Sequence, residues 1–353
     1  MEGPIRGRGA SENPPNRFEK LAYVPDPAER DPEDPGPRTQ LLRDPSRSIV
    51  ARNDSPDVGF DVSVNPYRGC EHGCIYCYAR PFHEYLGFSV GLDFETKIVV
   101  KEDAPALLRD ALSSPRWTPQ TIAMSGVTDP YQPVERRLRI TRRCLEVLAE
   151  FRNPVALITK NHLVTRDVDV LAELADHGAA HVNVSVTTLD NELQRIMEPR
   201  TSVPARRLAA IEALAAAGIP VRVMVAPVIP GLNDTEVPAI VEAAAGAGAR
   251  AATWIPVRLP HGVAELFERW LVQHFPERSR KVLNRIRQMR GGELNDARFG
   301  TRMRGSGVFA RQIGALFQAA CRRAGIGRDL PPLSTAAFRR PGEVRQLGLF
   351  DEG

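Results

Sequence analysis

Cys70-Glu71-His72-Gly73-Cys74-Ile75-Tyr76-Cys77-Tyr78 is the stretch from which the rest of the chain is best read. Its C-x3-C-x2-C spacing lets one short loop bring three sulfurs to a single inorganic centre. Thiolates hold iron-sulfur clusters, whereas a closed tetrahedral centre needs a fourth protein ligand. No fourth cysteine follows at a short interval. The pattern favours a [4Fe-4S] cluster with one iron left open. Two other readings stand beside it. A structural zinc could recruit His72 or His83, but His72 falls inside the tight loop and zinc sites use other spacings. Buried structural thiols are disfavoured because the chain has only 5 Cys and three crowd this Gly-containing turn.

Outward from the loop, 353 residues with 42% hydrophobic content are enough for one sizeable core plus extensions. No apolar run reaches membrane-spanning length and no secretory segment opens the sequence. Only Cys144 and Cys321 lie outside the loop. Their helical phase suits buried positions, and they suggest no disulfide framework. A reducing, cytoplasmic location fits these thiols. The formal charge is +4, and all basic residues except Lys20, Lys97, Lys101, Lys160 and Lys281 are arginine. That bias suits phosphate recognition, and equally an arginine-rich genome.

Residues 1–55 read as an irregular N-terminal arm, mobile or wrapped on the surface, because Asp31-Pro32-Glu33-Asp34-Pro35-Gly36-Pro37 interrupts helix and strand alike. Arg6, Arg8 and Arg17 read there as part of a solvated tail. Phe60–Val64 alternates as a short strand and delivers the chain to the cysteine loop. Lys97 and its neighbours form an extra strand, and Ala104–Leu112 a helix. Strand candidates then recur at Thr121–Met124, Val155–Ile158, Ala180–Val186, Val221–Ala226 and Ala252–Val257. Helices at Val134–Phe151, Val168–Asp176, Pro204–Ala217 and Glu236–Ala245 separate them. This alternation predicts a parallel α/β fold, an incomplete (β/α)6 TIM-like barrel over 56–260, with chemistry at the strand C-termini. Residues 261–353 form a basic, mainly helical C-terminal extension.

The Cys70, Cys74, Cys77 run resembles the signature of the radical S-adenosylmethionine (SAM) superfamily. Asn65–Arg80 together with Thr128-Asp129-Pro130-Tyr131-Gln132-Pro133 is similar to its spore photoproduct lyase-like branch, labelled DNA repair photolyase-related. The resemblance implies a [4Fe-4S] cluster on the three cysteines, SAM on the open iron, and a cellular reductant such as flavodoxin or ferredoxin. It implies reductive SAM cleavage to a 5'-deoxyadenosyl radical that abstracts hydrogen from substrate.

Site candidates follow on the same footing. Tyr76 would pack beside the cluster or adenine. Ser125 and Gly126 follow the second barrel strand, where relatives place a small segment near the SAM amino group; here Ser-Gly-Val replaces the commoner Gly-Gly-Glu. Asp129 and Tyr131 would stand over cofactor or substrate, one as an acceptor and one as a stacking face or oxidisable hydroxyl. Lys160 would neutralise the SAM carboxylate or a substrate phosphate. Ser185 and Thr187, two apart on a strand, would offer hydroxyls on one face. Ile229 and Gly231 would flank adenine.

Arg269, Arg278, Arg280, Lys281, Arg285, Arg287 and Arg290, continued by Arg298, Arg302 and Arg304, make a basic stretch. A nucleic-acid partner is the preferred expectation, with dimer-lesion reversal as one reaction. Radical modification of a protein, peptide or small molecule is the alternative, and a noncatalytic electron-transfer or nucleic-acid-binding protein a further one. Nothing in the sequence sets the oligomeric state.

Overall fold

The computed structural model describes residues 4–19 and 37–342. Most of the proline-rich run, Asp31 to Gly36, lies outside them, as does Lys20. Ten strands are present among the described residues: β1 (Gln40–Arg43), β2 (Val50–Arg52), β3 (Val62–Val64), β4 (Tyr67–Arg68), β5 (Lys97–Val100), β6 (Ile122–Met124), β7 (Val155–Thr159), β8 (Ala180–Ser185), β9 (Val221–Val228) and β10 (Ala251–Pro256). The main sheet runs β10-β9-β8-β7-β6-β3-β2. From β3 to β10 all neighbours are parallel, and β2 is antiparallel on β3 at one edge. The six parallel strands are those expected from the alternation. No pairing joins β10 to the opposite edge among the described residues, so the sheet is an open partial barrel.

Burial explains why these segments are strands. Every residue of β3 and β6 is buried, as expected where helices cover a parallel sheet. On the outside, helix Ile140–Phe151 turns Ile140, Cys144, Leu145, Leu148 and Phe151 inward, each large aliphatic or aromatic side chain contributing about 1.5–3 kcal/mol on full burial. Cys144 and Cys321 are both buried free thiols, as their helical phase predicts.

Two local departures have physical causes. The helix expected over Val134–Phe151 is two, Glu135–Leu138 and Ile140–Phe151, with Arg139 between them at φ 52°. Glu135 causes the break: its buried carboxylate accepts the N–H groups of Ile140 (3.0 Å) and Thr141 (3.1 Å), capping the second helix from inside the first. The other departure is regular structure in the supposed arm. β1 pairs parallel with β5 in a small sheet with β4. Gln40–Arg43 is mostly exposed, so it carried no alternation for sequence reasoning to detect.

In the C-terminal region, helices Gly262–His274, Pro276–Met289 and Gly307–Ala324 cover the barrel. Val282, Leu283, Ile286 and Met289 are buried while Arg278, Arg280 and Lys281 are exposed. Several other members of the basic stretch are committed within the protein. Buried Arg290 donates to the carbonyls of Pro256 (3.1 Å) and Val257 (2.6 Å), Arg298 pairs with Asp296 (2.9 Å), and Arg302 with Asp57 (2.5 Å). Among the described residues no helix is long and apolar enough to cross a membrane.

Candidate active site

The parallel strands all end on one side, and the candidate residues follow those ends. β3 leads into Asn65 and the cysteine loop, β6 into Ser125, β7 into Lys160, β8 into Thr187 and β9 into Ile229–Asp234. The loop is tightly turned: Gly73 N–H bonds Cys70 C=O (3.3 Å), Cys77 N–H bonds Cys74 C=O (3.2 Å), and Cys70 N–H bonds Phe94 C=O (2.9 Å).

Arg80, fully buried, holds this backbone from below. Its Nε donates to Cys74 C=O (3.0 Å), Nη1 to Val90 and Gly91 (both 2.9 Å), and Nη2 to Gly73 C=O (3.3 Å) and Glu95 Oε1 (2.5 Å). Glu95 in turn accepts the N–H groups of Gly9 (3.0 Å) and Ala10 (2.9 Å). Residues 4–19 are therefore laid against the loop, correcting the solvated-tail reading for Arg8 and Arg17. Arg8 donates to Glu95 C=O (3.0 Å), and Arg17 pairs with Glu84 (2.8 Å). Arg6 is exposed. The approach requires glycine: a Cβ at Gly9 would lie 1.8 Å from Gly73 O, and Gly73, at φ +66°, faces the Glu95 carboxylate.

A second buried carboxylate organises the mouth. Glu198 accepts from Tyr76 Oη, from Thr187 Oγ1 (2.7 Å), from Arg207 Nη2 and from Lys160 Nζ (3.1 Å). Burial pushes Glu198 above its ordinary value, with Arg207 opposing the rise. Lys160 Nζ also donates to Thr187 Oγ1 and Ala226 C=O (both 2.9 Å) and lies 5.7 Å from the Tyr76 ring centre. Burial, then the Arg207 charge, brings Lys160 down to about 7.

Asp129 stands behind β7. It accepts from Thr159 Oγ1 (2.7 Å), Lys160 N–H (2.8 Å) and Tyr131 N–H (2.9 Å), and lies 3.4 Å from His72 Nδ1. These partners hold its carboxyl below the usual range although burial works the other way. His72 Nε2 meets the Asn161 amide at 3.0 Å. Asn161 Oδ1 already accepts from Leu163 N–H and Ser202 Oγ, so its NH2 faces the ring and the imidazole proton sits on Nδ1, toward Asp129.

The structure thus brings Tyr76, Lys160 and Thr187 together around Glu198, with Asp129 fixing the backbone of Lys160. Ser125, at φ 150°, bonds Thr128 C=O (2.9 Å), and Gly126 C=O accepts from Tyr78 Oη (2.9 Å). Ser185 is buried, its carbonyl held by Arg207 (3.1 Å). Ile229 is fully buried in a cluster with Cys74, Ile75 and Tyr76, and a Cβ on Gly231 would point at Arg285. Tyr131 departs from expectation: its hydroxyl donates to Asp167 (3.0 Å) and its ring is buried in the main core, so it offers neither a stacking face nor a free hydroxyl at the mouth. That bond ties the loop after β6 to the start of helix Val168–Asp176, and the sequence showed only an aromatic in a polar loop.

Sequence reasoning missed Glu198–Arg207, the Asn161–His72–Asp129 chain, and Asn233, whose amide ties Thr187 C=O (2.7 Å) to Pro227 C=O (3.0 Å). Each joins loops that are far apart in sequence, Tyr76 to Glu198, His72 to Asn161 and Thr187 to Asn233, and no spacing signals such a meeting. A weak signal existed for Glu198-Pro199-Arg200, a charged turn soon after β8.

The donor set fits an iron-sulfur cluster. Cys70, Cys74 and Cys77 are free. Burial pushes all three thiols up, and Cys74 and Cys77 lie near enough to Cys70 to raise it further. Such thiols stay protonated unless an inorganic centre supplies positive charge. Among the described residues no three His, Cys, Asp or Glu side chains close on one point as a single ion would require. A cluster, whose irons each take one thiolate, asks less.

Partial barrel and cysteine trio together define a class of iron-sulfur enzymes that act from strand C-termini. Residues 64–244, about half of the chain, match the radical SAM superfamily, and the chain belongs to it; the superfamily uses a [4Fe-4S] cluster and SAM, with an external reductant. It is 40% identical over 232 residues to an uncharacterized protein of Mycobacterium tuberculosis, covering 65% of this chain and 67% of that one. An uncharacterized protein of Methanocaldococcus jannaschii is 29% identical over 178 residues, 50% of this chain and 64% of the relative. Among solved structures, a spore photoproduct lyase complexed with dinucleoside spore photoproduct superposes with TM-score 0.57 at 17% identity, over 82% of this chain and 81% of that one. That likeness establishes the fold.

Proposed function

We propose that this chain is a radical SAM enzyme acting on a nucleic acid, with Cys70, Cys74 and Cys77 holding the cluster. Once bound, cluster and SAM supply reductive cleavage to methionine and a 5'-deoxyadenosyl radical that takes hydrogen from substrate. The chain's own residues bind and orient. Lys160, fixed by Glu198, Thr187 and Ala226 C=O, would receive the SAM carboxylate. Ser125 and Gly126 would face its amino group, with Ser185 and Thr187 on the polar side and the Ile229–Gly231 turn on the adenine side. Asp129 positions Lys160 through its backbone N–H. Tyr76, Ile75 and Ile229 form an apolar wall that excludes water from the centre.

The single observation that carries the radical reading is the trio of free thiols, Cys70 and Cys74 buried and Cys77 half-buried, on one loop at the strand C-termini. The nucleic-acid reading is supported by exposed Arg278, Arg280 and Lys281 and by the likeness to a lyase solved with a dinucleoside photoproduct. The test is anaerobic reconstitution followed by SAM and a strong reductant, with 5'-deoxyadenosine read by mass spectrometry. Product from wild type and none from Cys70→Ala/Cys74→Ala/Cys77→Ala supports the reading. Absence of product from wild type with a verified cluster, bound SAM and nucleic acid present counts against it.

A further inference from the structure

Beside the cysteine loop, on the same side of the barrel, lies a cleft of about 630 Å³ bordered by Arg136, Asn161, His162, Arg200, Ser202 and Arg206. It is built by the loops after β6, β7 and β8, so it shares the strand ends with the site above. Its wall is joined directly to the cysteine loop: Arg200 N–H donates to His72 C=O (3.3 Å), and Asn161 reaches the His72 ring.

Its charge is not balanced from within. Arg200 is paired with Glu71 (3.1 Å). Arg206 meets only the His162 ring (Nη2 to Nδ1, 3.4 Å), and Arg136 has no carboxylate partner among the described residues. The potential of both guanidiniums is felt at His162, where it adds to burial in disfavouring the imidazolium. The arginines committed elsewhere in the fold, such as Arg80, Arg207 and Arg290, are saturated by carbonyls or carboxylates. Arg136 and Arg206 therefore keep free donor forks, the geometry that matches phosphate oxygens.

At the other end of the cysteine loop from His72, Tyr78 follows the last cysteine with 45% of its surface exposed. Its hydroxyl is fixed on Gly126 C=O, and the Arg258 guanidinium lies 5.4 Å from its ring centre. A fixed, exposed ring after the last cysteine and free guanidiniums in a cleft joined to His72 suit a strand that offers both a base to stack and a phosphate to bind. A phosphorylated peptide would use only the second.

We propose that the Arg136–Arg206 cleft binds a backbone phosphodiester of a single-stranded nucleic acid and so sets the position of the neighbouring nucleotide over the cysteine loop. The inference rests on the nucleic-acid reading given above. The test is fluorescence anisotropy of the reconstituted full chain with a labelled oligonucleotide of about 12 nucleotides, titrated over a salt series. Arg136→Gln/Arg206→Gln should weaken binding at least tenfold. The slope of log affinity on log salt should fall by about 0.7 for each phosphate that the variant no longer neutralises. Arg322→Gln/Arg323→Gln, exposed in the last turn of helix Gly307–Ala324, should change affinity less than twofold. Unchanged affinity and slope in the cleft variant, with unchanged circular dichroism, would overturn the proposal, as would wild type that fails to bind the oligonucleotide. A phosphoserine peptide that displaces the oligonucleotide from wild type at lower concentration than unlabelled oligonucleotide would overturn the nucleic-acid assignment. The radical reading is read separately through 5'-deoxyadenosine. If SAM is cleaved and the cleft variant binds normally, only the cleft assignment falls; if SAM is not cleaved and the variant binds weakly, the cleft stands.

Discussion

Two buried arginine–carboxylate pairs flank the cysteine loop, and they perform different work. Arg80–Glu95 below it is bonded almost wholly to backbone: loop carbonyls on the arginine side, the Gly9 and Ala10 N–H groups on the carboxylate side. Glu198–Arg207 above it is bonded to side chains that line the mouth, namely Tyr76, Thr187 and Lys160. The first fixes where the thiols are; the second fixes what faces them. Both are fully buried, and breaking a buried pair costs more than the pair contributes, because a charge is stranded.

The largest effect should come from Arg80→Met, which strands Glu95 and releases the carbonyls of Gly73 and Cys74. Urea unfolding should show a loss of about 3–5 kcal/mol, together with failure to retain iron after reconstitution. Full iron retention would break the distinction between the two pairs. Glu198→Gln keeps the shape and removes the charge. It should cost less, about 2–3 kcal/mol, and leave the cluster's visible absorption in place. SAM binding by equilibrium dialysis should weaken tenfold or more because Lys160 loses its anionic partner and the new amide NH2 is set against the Arg207 donors. Lost absorption with intact SAM binding would reverse the assignment.

A third prediction concerns His83, buried under the loop against the Phe88 and Phe94 rings. Burial brings its imidazole down to about 4. The unfolded chain takes up that proton near 6.5 and the folded chain only near 4. Stability is therefore full above pH 6.5 and falls as pH drops toward 4. The loss is on the order of 3 kcal/mol, since one pKa unit corresponds to about 1.4 kcal/mol. His83→Leu should flatten the urea-stability profile of the apo protein over that window; an unchanged slope would exclude His83 as its source. The smallest effect is the contrast case. Arg43–Asp103 lies 3.3 Å apart with both side chains largely exposed, and Arg43→Gln should shift stability by less than about 1 kcal/mol. A shift like that of Arg80→Met would undo the argument that burial separates them.

The parallel strands were legible because each is a short, mainly apolar run followed by a helix with its own period, and a segment such as Val155–Thr159 needs no distant partner to declare itself. β1 was not, because an exposed strand at the side of a small sheet has no burial pattern to print on its sequence. Tyr131 was legible as an aromatic in a polar loop and illegible as an anchor, because Asp167 lies 36 residues away. The same holds for Glu198, which is nine residues from Arg207 but 122 from Tyr76.

By itself, the sequence determined the cysteine trio and the kind of fold that carries it, since both are written in local spacing: three thiols within one turn, and strands and helices that alternate. Tertiary structure alone decided that the N-terminal segment is folded against the cysteine loop. It also decided which arginines are engaged inside the protein, and that Arg136 and Arg206 are left facing an open cleft. The physical reason is that a charge's role depends on what neutralises it, and its neutralising partner is chosen by packing in space rather than by position along the chain.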